Sequence, residues 1–140
     1  FINHNAEGFV IGTSKNEYEL YAAYLQGVGF VERWCYELMR ELGTHVGNSI
    51  YATGGGAKSD TWMRIRADIL NKQILRPEST ECVVGTAVVA ASGSIFPNLE
   101  TAAASMIKIS ERIEPDPRNI VQYNDLYNQF RDECTKRGYI

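Results

Sequence analysis

The sequence predicts an α/β domain, rich in helices and built on a small mixed sheet. Three observations carry that expectation. Short β-type runs alternate with longer segments whose apolar residues recur every three or four positions. A glycine-rich turn, Thr53-Gly54-Gly55-Gly56-Ala57-Lys58-Ser59, stands between one such run and a helical pattern. The chain has 140 residues, 44% hydrophobic and 22% charged, which suits one globular domain and argues against disorder.

The elements follow in order. Gly8-Phe9-Val10-Ile11-Gly12 reads as a strand, or the end of one, between two turns. From about Asn16 to Leu42 the pattern is helical, with Tyr24, Val28, Val31, Cys35, Leu38 and Leu42 as the apolar stripe and Gly43 as the stop. Gly27 and Gly29 inside that helix each cost roughly 1 kcal/mol relative to Ala. They either admit a close-packed neighbour or break the helix. Asn48–Ala52 is a short strand leading into the glycine turn. A second helix runs from about Asp60 to Asn71, with Trp62, Ile65, Ile69 and Leu70 on its apolar face and Arg64, Asp68 and Asn71 facing away. Ile74-Leu75 makes a brief strand that stops at Pro77. A third helix, about Glu81 to Ala91, is almost all small or β-branched and is expected to be buried on most sides. Leu99, Ala102, Met106 and Ile109 mark a fourth helix. After the break at Glu114-Pro115-Asp116-Pro117, the residues Tyr123, Leu126, Tyr127, Phe130 and Cys134 mark a last one, ending near Gly138.

Composition excludes several classes of function. The net charge of −3, from 14 basic and 17 acidic residues, gives no basic stripe to follow a phosphate backbone, so no nucleic-acid partner is expected. The longest strongly apolar stretch, Cys82 to Ala91, is about half of the ~20 residues a membrane span needs. No membrane association is expected either. Three widely spaced cysteines, Cys35, Cys82 and Cys134, read as reduced thiols of a cytoplasmic protein. The opening Phe1-Ile2-Asn3-His4 has no signal-peptide pattern and suggests a piece of something longer. Few strands for so many helices point the same way, to strands upstream.

The glycine turn is the one segment that suggests chemistry. Glycines between a strand and a helix let a ligand reach the main chain, and the helix start behind them presents N–H groups that suit a phosphate. The alternative is a turn that only makes the corner. Two familiar phosphate motifs fail here. A P-loop would need glycines where Ala52 and Ala57 stand, although Lys58-Ser59 is in place. A dinucleotide fingerprint fits Gly54 and Gly56 but meets Ser59 at its third glycine, and no acidic residue ends a second strand about 20 residues on.

Several segments in order do fit a known pattern. These are Gly54 to Ser59, then Trp62, Ala67-Asp68-Ile69-Leu70, Arg76-Pro77, Glu81, and Val84-Gly85-Thr86-Ala87 with Ala90-Ala91. Together they resemble the C-terminal domain of the FGGY carbohydrate kinases, the xylulose kinases among them. Gly8–Gly12, Leu25-Gln26-Gly27-Val28 and the Tyr-rich last helix resemble the flanking parts of the same family, so the resemblance covers nearly the whole chain.

The resemblance implies a ribonuclease-H-like fold of the actin, hexokinase and Hsp70 ATPase type. It also implies an enzyme that uses ATP and Mg to phosphorylate a sugar or polyol. Residues 1–140 would be the C-terminal nucleotide-binding portion, with the sugar-binding domain and the first strands of this domain lying outside them. Gly55 and Gly56 would lie against the adenosine and α-phosphate, and Ser59 near the adenine or ribose. Gly54 would shape the turn, and Lys58 would either reach a phosphate or solvate the turn. Ser59 is equally placed to cap the next helix. Two positions depart from the family: Gln26 stands where many members have Glu, and Ala22 where Arg is common. The catalytic base, the terminal-phosphate hairpin and the main Mg ligands belong to upstream parts of the family's pattern, so no catalytic and no metal-binding residue is assigned here.

Other candidates have simpler readings. His4 and His45 have no partners at ligand spacing. Ser49 lies in an apolar run without a nucleophile motif. Asp68 is expected to pair with Arg64 on a solvated helix face. Trp34, Trp62, Tyr123 and Tyr127 fall at helical spacing and read as core, an aromatic sugar platform being the alternative. An actin-like module that binds a nucleotide or a partner without catalysis remains the second functional reading. Apolar area around Phe1, Ile2 and Gly8–Gly12 is expected to promote self-association, with a homodimer as the simplest product.

Overall fold

The computed structural model describes residues 4–140. Five helices and three strands appear in the order α1 (Glu17–Glu41), β1 (Ser49–Tyr51), a 3-10 turn (Gly55–Lys58), α2 (Asp60–Leu70), β2 (Gln73–Pro77), α3 (Cys82–Ala91), α4 (Leu99–Met106), β3 (Ile109–Ile113) and α5 (Pro117–Lys136). The described residues group into two compact units, one of residues 4–46, 68–71 and 115–140, the other of residues 47–67 and 72–114.

The first unit is built on α1 and α5. Asn16 starts α1 because its side-chain oxygen accepts the Glu19 N–H at 2.9 Å, and Asp116 does the same for α5 through the Arg118 N–H. Gly27 and Gly29 do not break α1. Gly29 admits a side chain: a Cβ there would lie 2.7 Å from the Ile69 Cδ1, whereas Gly27 faces open space. The buried face of α1 is Gly29, Phe30 and Trp34, which differs from the expected stripe. Tyr24 and Val28 are more than half exposed and Leu42 is 84% exposed. The reason is the ring cluster on α5, where Phe130 lies 5.7 Å from Phe30 and 6.5 Å from Trp34, centre to centre. Rings offer more area to bury than the valines of the other face.

A polar layer borders that cluster. Arg33 holds Glu37 at 3.2 Å and donates to the Asn124 Oδ1 at 2.7 Å. The buried Tyr127 donates its hydroxyl to Glu37 and accepts from Arg131. Burial, and then that bond to Glu37, pushes the Tyr127 phenol up to about 12.

Asp68 overturns its expected surface role. It is buried, and its carboxylate accepts the Asp116 N–H at 2.7 Å and the Asn119 Nδ2 at 2.8 Å. The N-terminus of α5 offers donors in this direction, and a buried carboxylate is better served by them than by a solvated arginine. The expected strand at Gly8–Gly12 is also absent: the segment is irregular and joins no sheet among the described residues. Side chains hold it instead, with Phe9 stacked on Phe130 at 6.0 Å and the Glu7 N–H donating to the Tyr139 hydroxyl. Phe1 and Ile2 lie outside the described residues.

The second unit holds the sheet, in the order β1-β2-β3. β1 and β2 are parallel, with Ile50 opposite Ile74. β2 and β3 are antiparallel, with Ile74 opposite Ile113 and a register shift at Arg76/Pro77, where the proline ends the strand. The sheet is therefore mixed, as expected. β3 was not: Ile109 fits the last position of a helical stripe, yet α4 stops at Met106 and Ile109 opens a strand. Met63 and Ala67 of α2 and Ile74 of β2 are fully buried. α3 packs against α4, and its buried residues are Val88 and Ala91. The rest of α3 departs from the buried helix expected, for Val83 and Val89 are 69% and 64% exposed. An all-apolar helix carries no signal for which side is covered, and here only the α4 side is.

Candidate functional site

β1 delivers the chain into the glycine turn. Its last hydrogen bond to β2, from the Ala52 N–H to the Leu75 carbonyl, is 2.9 Å. Gly54 then turns the backbone at φ +81°, ψ −178°, a region that in practice only glycine occupies. Its N–H donates to the Thr80 carbonyl at 2.6 Å, and its carbonyl accepts the Ala57 N–H at 3.1 Å, closing the 3-10 turn. Ala57, 1% exposed, anchors the turn in the core.

The next residues are fixed by α2. The Ser59 Oγ accepts the Trp62 N–H at 3.2 Å, and its carbonyl accepts the Met63 N–H at 3.0 Å. Ser59 is thus the N-cap of α2, the structural alternative for this residue. Lys58 is exposed and pairs with Glu81 at 2.9 Å. The Lys58 hydrogen bond and charge hold the Glu81 carboxyl below the usual carboxylate range. Asp60, first in α2, pairs with Arg76 at 2.8 Å, and Arg76 also meets Glu111 at 3.0 Å.

The five candidates Gly54, Gly55, Gly56, Lys58 and Ser59 therefore share one short turn, and their surroundings differ. A Cβ on Gly55 would meet nothing within 4 Å, whereas one on Gly56 would touch the Trp62 ring at 3.4 Å. Gly54 is open as well, but its φ of +81° strains any side chain, so Gly55 is the position where one could be added into open space. Sequence reasoning did not reveal that Thr80 and Glu81 brace the turn, because the main-chain acceptor at Thr80 leaves no residue-type signal and the Glu81 carboxylate lies 23 residues from Lys58. Elsewhere, in the first unit, an apolar hollow of about 590 Å³ is lined by Phe9, Tyr24, Val28, Trp34 and Phe130 among others. None of the five candidates lines it. No group of three or more His, Cys, Asp or Glu able to hold a metal occurs among the described residues, and no helix there is long and apolar enough to cross a membrane.

The profile of the FGGY family of carbohydrate kinases, C-terminal domain, matches residues 1–94. The chain belongs to that family. This FGGY domain is 32% identical over 132 residues to a xylulose kinase of Bacillus subtilis, covering 91% of this chain and 26% of the relative. It is 37% identical over 110 residues to a xylulose kinase of Staphylococcus epidermidis, covering 77% and 21%. Among solved structures it is similar to a xylulose kinase from Rhodospirillum rubrum, with TM-score 0.78 and 26% identity over 94% of this chain and 28% of that one. A gluconate kinase from Lactobacillus acidophilus matches with TM-score 0.77 at 20% identity, covering 94% and 27%, which speaks for the fold alone. The fold is thus of the ribonuclease-H-like type, and the chain spans about a quarter of the length of the curated relatives it matches.

Proposed function

We propose that this FGGY domain supplies part of the ATP site of a cytoplasmic sugar kinase, with xylulose or a related ketopentose, polyol or sugar acid as the acceptor. The observation that carries the reading is the glycine turn. It is pinned at Gly54 and Ala57 and leaves Gly55 open, in a family whose members phosphorylate carbohydrates. In the reaction a sugar hydroxyl attacks the γ-phosphorus of ATP and gives its proton to the catalytic base, the bond from that phosphorus to the β–γ bridging oxygen breaks, and ADP leaves with the sugar phosphate formed.

This chain's share is binding and orientation. Gly55 presents main chain to the adenosine and α-phosphate with no side chain between. Gly56 continues that surface, Gly54 sets its angle, and Ser59 holds the start of α2 beside it. Lys58 is engaged by Glu81, so a phosphate would have to compete with that carboxylate for it. The residues of the turn do not suit magnesium. The carboxylates that meet the turn, Asp60 at the start of α2 and Glu81 on Lys58, each face a cation, and no step is routed through the ion. The sugar-binding domain, the catalytic base and the metal ligands fall to polypeptide outside residues 1–140, as the greater length of the relatives suggests.

The test is ADP release by the full-length protein on D-xylulose, other ketopentoses, polyols and gluconate. Sugar-dependent turnover is expected with at least one, and Gly55→Val is expected to raise the KM for ATP at least tenfold with little change in thermal midpoint. Nucleotide binding without turnover on any acceptor would favour the non-catalytic module. The 140 residues alone are expected to make no sugar phosphate.

A further inference from the structure

We infer that Trp62 is a positioning residue for the nucleotide, one that walls off a side of Gly56 and so directs ligand contact to the open face of Gly55. The inference rests on the nucleotide reading of the turn and adds to it a residue outside the five candidates.

The geometry is specific. The Cδ1 and Nε1 atoms of the Trp62 ring both lie 3.4 Å from the place a Cβ on Gly56 would take, close to ordinary contact. The ring is half-buried rather than core. Its backbone is held by the Ser59 cap, and on the same helix the Arg66 guanidinium carbon lies 5.9 Å from the ring centre. A tryptophan side chain has only two torsions, so little entropy is lost in keeping it there. The turn is then fixed at three points: the Thr80 carbonyl at Gly54, the buried Ala57, and the indole at Gly56. Gly55 has nothing within 4 Å of its Cβ position, and Gly54, which is also open there, is tied through its N–H to Thr80 and held at a positive φ.

A backbone held at three points presents its fourth without reorganisation when a ligand arrives, which is how a supporting contact becomes affinity. Were Trp62 only core filling, its loss would lower stability and leave affinity unchanged at temperatures where the protein stays folded. As a positioning residue it affects affinity separately, and a flat ring of similar width restores the effect.

The experiment uses the full-length protein, with ATP as the probe. Trp62→Ala is expected to weaken ATP binding about tenfold, equivalent to ~1.4 kcal/mol, raising the KM for ATP while kcat stays within about twofold. Trp62→Phe is expected to recover most of the affinity. ATP binding by Trp62→Ala within about twofold of the unaltered protein overturns the inference and leaves the nucleotide reading intact. If the unaltered protein binds no ATP, or Gly55→Val binds it equally well, the nucleotide reading itself falls and the inference with it. Should Trp62→Ala fail to fold, Trp62→Leu decides, since it keeps apolar bulk and loses the flat ring. About tenfold weaker ATP binding is expected for it, and binding within about twofold of the unaltered protein overturns the inference.

Discussion

Replacing Asp68 by alanine should destabilise the protein as a core mutation does, although the position reads as surface in the sequence. The carboxylate is 7% exposed and accepts two hydrogen bonds, from the Asp116 N–H at 2.7 Å and the Asn119 Nδ2 at 2.8 Å. Hydrogen bonds to a charged group contribute about 1.5–3 kcal/mol each, and donors left unsatisfied add a desolvation cost. The Asn119 amide is half-buried and can recover part of its loss from water, so the total for Asp68→Ala is about 2–4 kcal/mol. For a chain of this length that is a fall of roughly 7–14 °C in thermal midpoint. Asp68→Asn separates the charge from the bonds. Its amide oxygen can still accept the Asp116 N–H, and Asn119 can rotate its amide to present oxygen to the new Nδ2. About 1 kcal/mol of loss is expected for it. Urea unfolding followed by circular dichroism measures all three proteins, with equal m-values as the check on two-state behaviour. A cost below about 0.5 kcal/mol for Asp68→Ala, the usual range for a surface change, would refute the claim that this carboxylate organises the start of α5.

Gly29→Ala should be destabilising by about 1 kcal/mol despite the better helix propensity of alanine, because the new methyl meets the Ile69 Cδ1 at 2.7 Å. In an Ile69→Val background, which removes that methyl, the same substitution should turn stabilising in urea titrations. Asp116 is held well below the usual carboxylate range, at about 2, by its hydrogen bonds with Arg118. A lowered folded pKa gives stability that is present above about 4 and lost as the pH falls towards 2. The gap in urea midpoint between the unaltered protein and Asp116→Asn should close over that window. Sedimentation of the 140 residues at tens of micromolar, roughly where weak contacts appear, should show self-association, with Val10, Ile11, Tyr24 and Val28 exposed on the first unit and Val83 and Val89 on the second. A clean monomer would count against it.

What the sequence made legible follows from which physical signals are local. Asn16, Asn98 and Asp116 cap their helices through bonds three residues or fewer along the chain, so helix starts could be read directly. The glycine turn was legible for the same reason, since the positive φ at Gly54 is a property of that residue and its neighbours. Faces were harder to read. On α1 the pattern Tyr24-Val28-Val31 and the pattern Phe30-Trp34 both have helical spacing, and only the rings of α5, about a hundred residues away, decide between them. Asp68 failed in the same way: its donors lie 48 and 51 residues on, whereas Arg64, the partner expected, is one turn back. The candidate site sits across this divide. Its glycines were visible as residue types, while the groups that hold them in place, the Thr80 carbonyl and the Trp62 ring edge, matter through where the fold puts them. That is why the sequence treats Gly55 and Gly56 as equals and the structure does not. One has open space where a side chain would go and the other an indole, so substitutions at these two adjacent glycines should part ligand contact from support of the turn.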